Sequence, residues 1–128
     1  MKLLLDTHNF IWFIEGNPEL SSLAKNLIED SENERLLSIA SLWEIAIKTS
    51  LGRLNLNATI QQLVDNHVYG NAIALLPITA NCLDCLAKLA FYHKDPFDRL
   101  IIAQAMVEKL TIVGKDGLFA DYDVDCIW

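Results

Sequence analysis

Asp6, Glu44, Asp98 and Asp116 are the residues of this chain whose type and placement could do chemistry together. Asp6 directly follows the apolar run Leu3-Leu4-Leu5, and Asp116 follows Thr111-Ile112-Val113 by a short turn. Glu44 and Asp98 stand where helical patterns begin. In an open α/β sheet, strand ends and helix starts share one edge, and ligands gather in the crevice beyond it. Four carboxylates brought there would repel and raise one another's pKa unless a cation offset them. An all-oxygen set of this kind suits Mg²⁺ or Mn²⁺.

Each acid also has a structural reading. Ser41-x-x-Glu44 matches a capping box, in which the glutamate only returns a hydrogen bond to the Ser41 amide. Asp98 near a helix N-terminus is favoured by the dipole alone. Asp6 and Asp116 are common types of turn residue after strands. Taken singly, each acid is explained by structure. Their joint placement is what favours a metal site.

Other chemistries find less support. His8, His67 and His93 show no pairing at ligand spacing; His67 fits a helix surface, and a solvated or hydrogen-bonded role suffices for His8 and His93. Cys82-x-x-Cys85 has no second pair to complete four zinc ligands, and it does not open a helix straight after a strand as a redox pair should. The cysteines read as small helix residues. No serine occupies a nucleophile elbow, and no glycine-rich phosphate loop is present.

The elements that must position the acids follow from periodicity. Leu3-Leu4-Leu5 reads as a strand buried on both faces, as inside a parallel sheet. Asp6 or Thr7 can cap a helix beginning near Asn9 that ends at Gly16-Asn17-Pro18. Residues 19–30 carry Leu20, Leu23, Ala24, Leu27 and Ile28 at helical spacing, and residues 35–39 read as a second strand. Ser41 opens a helix that Gly52 ends. Asn57 or Thr59 starts another, 72–76 reads as a third buried strand, and Thr79 caps a further helix. Asp95-Pro96 places an N-cap before a proline at the first helical position. Residues 111–113 form a fourth strand and 124–128 an edge strand. Strands alternating with helices imply an α/β fold of three layers, with a mostly parallel central sheet flanked by helices.

The 128 residues are expected to form a single domain. A hydrophobic fraction of 52% with 21% charged residues is ordinary for a compact soluble protein. No apolar run reaches the ~20 residues needed to cross a bilayer. Asp6 and His8 interrupt the apolar start too early for a signal peptide, so a cytoplasmic protein is expected. The net charge of −7 argues against a nucleic-acid coat protein and for a basic partner.

Four segments together carry a family resemblance. They are Leu5-Asp6-Thr7-His8, Ser38-x-x-Ser41-Leu42-Trp43-Glu44-Ile45-x-x-Lys48, Gly52-Arg53-Leu54, and Asp95-Pro96-Phe97-Asp98-Arg99-Leu100-Ile101-x-Ala103-Gln104-Ala105. In this order, across nearly the whole chain, they resemble the PIN-domain family and more narrowly its VapC toxins of toxin–antitoxin pairs. The resemblance implies a metal-dependent endoribonuclease that hydrolyses RNA phosphodiester bonds with Mg²⁺ or Mn²⁺. By position, Asp6, Glu44, Asp98 and Asp116 match the family's acidic metal-binding and catalytic set. Where the fourth motif usually has a hydroxyl residue two before its acid, this chain has Gly114. Lys48, Arg53, Lys94, Arg99 and Lys115 are candidates for phosphate contacts, although a surface role explains each alone. A cognate antitoxin and a homodimer are further implications. The aromatic residues Phe10, Trp12 and Phe13 suggest a groove for an antitoxin segment with aliphatic anchors and a basic residue.

Two alternatives share features with this sequence. A receiver-type signalling domain has this size, a wound parallel sheet and Mg²⁺-binding acids, but it would want an adjacent acidic pair after the first strand, which Leu5-Asp6-Thr7 lacks. The other is a PIN-like module that only binds a partner; retention of all four acids speaks against it.

Overall fold

The computed structural model describes residues 1–115 and 117–128, and at residue 118 the backbone only. Asp116 lies outside the described residues. Among the described residues, five strands form one sheet: β1 (Lys2–Leu5), β2 (Glu34–Ser38), β3 (Ala74–Leu76), β4 (Thr111–Val113) and β5 (Cys126–Ile127). Their order is β3-β2-β1-β4-β5, and every neighbouring pair is parallel. The helices are α1 (Thr7–Glu15), α2 (Ser22–Glu29), α3 (Ile39–Ser50), α4 (Ile60–Leu63), α5 (Ala80–Lys88) and α6 (Pro96–Glu108).

The triple leucine explains why β1 is central. Leu3, Leu4 and Leu5 are all fully buried. Because side chains alternate across a strand, Leu3 and Leu5 join Leu37 and Val113 in a core with Phe10, Ala24 and Ile45, on the face covered by α1 to α3. Leu4 joins Leu36 and Ile112 on the opposite face, against Ile101, Ile102 and Ala105 of α6. Removing a leucine-sized side chain from water stabilises by about 1.5–3 kcal/mol. Both helical layers are therefore pinned to the same three leucines of β1.

The strand order rules out the receiver alternative, whose doubly wound sheet runs 2-1-3-4-5. Here the order reverses direction at β1, with β2 on one side and β4 on the other. The crevice beyond the ends of β1 and β4 is where such a sheet places its ligands. Among the described residues, no helix is long and apolar enough to cross a membrane.

Several local readings shift. β3 is an edge strand with Ala74 exposed and Leu75 and Leu76 half-buried, not a buried strand. Thr59, not Asn57, is the N-cap of α4, in a true capping box with Gln62. The chain then continues through a π-helical turn, Val64–Val68, that periodicity does not reveal. Helix α3 begins before Ser41: Ser38 is its N-cap and accepts a hydrogen bond from the Ala40 amide. Ser41 is thus inside the helix and Glu44 in its second turn. The capping-box reading of Ser41-x-x-Glu44 fails for that reason.

Candidate active site

Asp6 caps α1 by its backbone position, extended at φ −63° and ψ 147°, yet its side chain makes no capping hydrogen bond. Its amide donates to the Val113 carbonyl at 3.0 Å, which keeps it alongside the end of β4. Asp98 is the third residue of α6. Asp95 is the N-cap there, and its Oδ1 accepts from the amides of Phe97 and Asp98 at 2.9 and 3.1 Å. That leaves Asp98 free of capping work. Glu44 lies on α3, is 5% exposed, and takes Lys48 Nζ on Oε2 at 2.8 Å. Its other oxygen, Oε1, is buried without a partner.

These acids sense one another. Burial pushes the Asp6 carboxyl up from 3.8 to about 7, helped by the charges of Asp98 and Glu44. The amides of His8 and Thr7 draw it only partly back. Burial likewise raises Asp98, with Asp95 and Glu44 adding to the rise, while the hydrogen bond and charge of His93 oppose it. The cluster is short of positive charge in its present state.

The positioning is done by polar residues of the same motifs. Thr7 Oγ1 donates to Ser41 Oγ at 2.8 Å, tying α1 to α3 and so Asp6 to Glu44. Ser38 Oγ donates to Gln104 Oε1 at 2.6 Å, and Gln104 Nε2 reaches the Pro77 carbonyl at 3.1 Å. This second network ties α3 to α6 and brings Asp98 to the same edge. Ser38, Ser41 and Gln104 are buried, and buried polar groups of this kind hold position through satisfied hydrogen bonds.

A cleft of about 320 Å³ opens beside the acids, lined by Asp6, His8, Asn9, Trp12, Asp98 and Lys115. Among the described residues, no three His, Cys, Asp or Glu side chains close into a metal cage. A divalent cation still fits, on three observations: a buried carboxylate held near neutrality, an orphaned Glu44 oxygen, and all-oxygen donors. Mg²⁺ commonly uses one or two carboxylates and keeps waters for its remaining positions.

The basic candidates separate. Lys115 lines the cleft. Lys48 pairs with Glu44. Arg53 and Lys94 are exposed and take no part in the cleft lining. Arg99 has a different task from phosphate binding. It is 5% exposed, and its guanidinium donates to the carbonyls of Ala90, Leu89 and His93 and lies 3.8 Å over the Phe91 ring. Arg99 therefore ties down the segment before α6. Arg99→Lys, which loses the fork geometry, is expected to cost about 1.5–3 kcal/mol by chemical denaturation.

The antitoxin groove imagined from Phe10, Trp12 and Phe13 also needs correction. Phe10 is fully buried in the core and Phe13 packs against it; only Trp12 reaches the cleft. The cysteines behave as helix residues at 82 and 85, with Cys82 Sγ donating to the Thr79 carbonyl.

One residue beside the acids escapes a sequence reading, and a second takes the hydrogen-bonded role expected of it. His93 Nε2 lies 2.7 Å from Asp98 Oδ2. Asn9 is fully buried with both amide atoms unpartnered. The signal for Asn9 was its spacing, three residues after Asp6 on one helix face. Which partner His93 takes is not legible in the sequence, because the loop that folds it back to Asp98 is held by Arg99 and by Tyr122, whose hydroxyl accepts from the His93 amide. His93→Ala is expected to raise the divalent-cation concentration needed for half of its effect on the melting temperature by roughly tenfold or more, the scale of a lost partner behind a ligand. His93→Gln should recover part of it. An unchanged metal titration would leave His93 a loop residue only.

Comparison with known proteins agrees with this geometry. No curated protein sequence matches the chain. Among solved structures, VapBC2 from Rickettsia felis bound to a promoter DNA fragment matches with a TM-score of 0.71 at 17% identity, over 99% of this chain and 98% of that one. VapBC-1 from nontypeable Haemophilus influenzae gives 0.70 at 15% identity, covering 99% and 97%. FitAcB from Neisseria gonorrhoeae gives 0.65 at 23% identity, covering 97% and 95%. These likenesses speak to the fold. The model of the PIN domain, whose members are generally nucleases, matches residues 3–125, where every described acid of the cleft lies, and the chain belongs to the PIN domain family.

Proposed function

We propose that the chain is a Mg²⁺- or Mn²⁺-dependent endoribonuclease of VapC type, a single unit over residues 1–128 that works in the cytoplasm as the toxin of a toxin–antitoxin pair. The observation that carries this is the buried, charge-deficient meeting of Asp6, Glu44 and Asp98 at the crevice beside β1 and β4. PIN membership and a fold shared with chains of VapBC and FitAcB complexes support the toxin assignment. A cognate antitoxin and a second copy of the chain are its proposed partners.

Asp6 and Asp98 are assigned to hold the cation, with Glu44 beside them; Asp116 is proposed as the fourth acid by its motif position. When bound, a divalent cation offsets the carboxylates and supplies a water nucleophile at neutral pH with charge stabilisation at the phosphate. The orphaned Glu44 Oε1 is the buried acceptor that a bound cation, or a water carried by it, would satisfy. Lys48 holds the other Glu44 oxygen and fixes that carboxylate's direction. His93 holds Asp98 Oδ2 in place.

Purified protein is expected to cut RNA with Mg²⁺ or Mn²⁺ and to stop in excess chelator. The metal should also raise the melting temperature, since binding to the native state at a hundred times Kd contributes about 2.7 kcal/mol. Strong cleavage in chelator would defeat the assignment, as would metal without effect on either cleavage or melting.

A further inference from the structure

The cleft has a second wall, away from the acids. Trp12 is half-buried in it, with the His8 ring at a centroid distance of 6.0 Å and tilted by 49°. The Trp128 ring is also 6.0 Å from Trp12, tilted by 59°. Lys115 Nζ lies 5.7 Å from the Trp128 ring centroid and only 3.8 Å from exposed Glu19, a loose surface pairing. Asn9, one turn before Trp12, contributes the buried amide whose oxygen and nitrogen both lack partners. A buried amide left unpaired is costly to the free protein, so a ligand that supplied its partners would recover that cost.

These features match one kind of ligand. An aromatic wall takes the flat face of a nucleobase by stacking. An asparagine amide offers one donor side and one acceptor, the pattern that reads a base edge. A lysine at the rim meets a phosphate. The acids of the cleft would draw a basic peptide too, but the unpaired Asn9 amide together with Lys115 on this wall suits a base edge and its phosphate, so RNA is the occupant argued here.

We propose that this wall is a nucleobase subsite, in which one unstacked base of the RNA packs on Trp12 with its edge toward Asn9 while Lys115 meets a neighbouring phosphate. It rests on the assignment of the adjacent acids as a nuclease centre. The base must leave its stack to enter, so the RNA is bound as a single strand or loop.

The test uses the full chain and a single-stranded RNA with 2-aminopurine placed next to the bond that the wild type cuts. Stacking on an indole should quench its fluorescence on binding, measured in chelator so that no cleavage occurs. Trp12→Leu keeps apolar bulk and removes the π-face; it should lose the quench and raise KM or Kd by roughly 5- to 150-fold. Trp12→Phe should restore most of both. Asn9→Ala should weaken binding while leaving the melting temperature equal or higher, because an unpaired buried amide is gone. Equal quench and KM in wild type and Trp12→Leu would overturn the subsite. So would Trp12→Leu that binds RNA normally but no longer binds a basic antitoxin-like peptide, an outcome that assigns the wall to protein. Failure of the nuclease centre looks different: wild type would then cut no RNA at all.

Discussion

Asp6→Asn is expected to abolish metal-dependent cleavage and, without metal, to make the protein more stable at neutral pH. The wild-type carboxyl is raised to about 7 by burial and by Asp98 and Glu44, against 3.8 in the unfolded chain. Between those two values the folded state holds the extra proton. Stability contributed by this group is thus highest near or below pH 4, falls as pH rises, and levels off above about 7. A shift of this size corresponds to on the order of 4 kcal/mol at pH 8, from 1.36 kcal/mol per unit. Asp98 is raised for the same leading reason and acts in the same direction. Asparagine carries no proton to lose, so the variant should have a flatter stability profile between pH 4 and 8. Urea denaturation of both proteins in chelator measures the difference directly. In wild type, saturating Mg²⁺ should recover the stability lost at pH 8, and in the variant it should not. A less stable variant across the whole pH range would show that Asp6 is held in place by contacts that the structure does not give it.

Glu44→Gln is expected to lower cleavage by roughly a hundredfold or more, the scale of a positioned catalytic group, with little change in folding. Glutamine keeps the size and one oxygen but loses the charge. The capping explanation for this residue is gone, because Ser38 caps α3 and Ser41 accepts from Thr7 instead. The loss of the Lys48 pair should matter within ~1 kcal/mol, since the Lys48 side chain is 34% exposed and solvated. Relief of repulsion on Asp6 and Asp98 works in the opposite direction. Ser41→Ala is the contrasting variant. It strips the buried Thr7 hydroxyl of its acceptor, at about 1–3 kcal/mol, and retains every carboxylate. If Glu44→Gln cut RNA at the wild-type rate, Glu44 would have no part in the reaction.

Gly114 shows how a departure from a family pattern acquires a physical meaning. A Cβ at that position would come within 3.0 Å of the Phe119 ring and 3.1 Å of Asp6 Cβ. The glycine lets the turn after β4 pass directly against Asp6. A hydroxyl side chain there would require Asp6 or Phe119 to give way, so the usual family residue does not fit this cleft without adjustment.

What the sequence by itself determined was set by short-range rules. The triple leucine specified a strand buried on both faces, because alternation sends successive side chains to opposite layers. Asp95-Pro96 specified the start of α6, and the alternation of elements specified the parallel α/β fold. Asp6, Glu44 and Asp98 could be nominated from their places beside those elements, and the motif order pointed to the family. Other features were decided only by tertiary structure. The N-cap of α3 is Ser38, and Ser41 lies inside the helix with its hydroxyl bonded to Thr7, 34 residues away in sequence. Arg99 was drawn inward by carbonyls of a folded-back loop, and the same loop brought His93 to Asp98. Asn9 lost its partners only when packing closed around it. Each of these outcomes depends on groups distant along the chain or on burial, and burial is what turns Asp6, Glu44 and Asp98 from ordinary acids into a site short of positive charge.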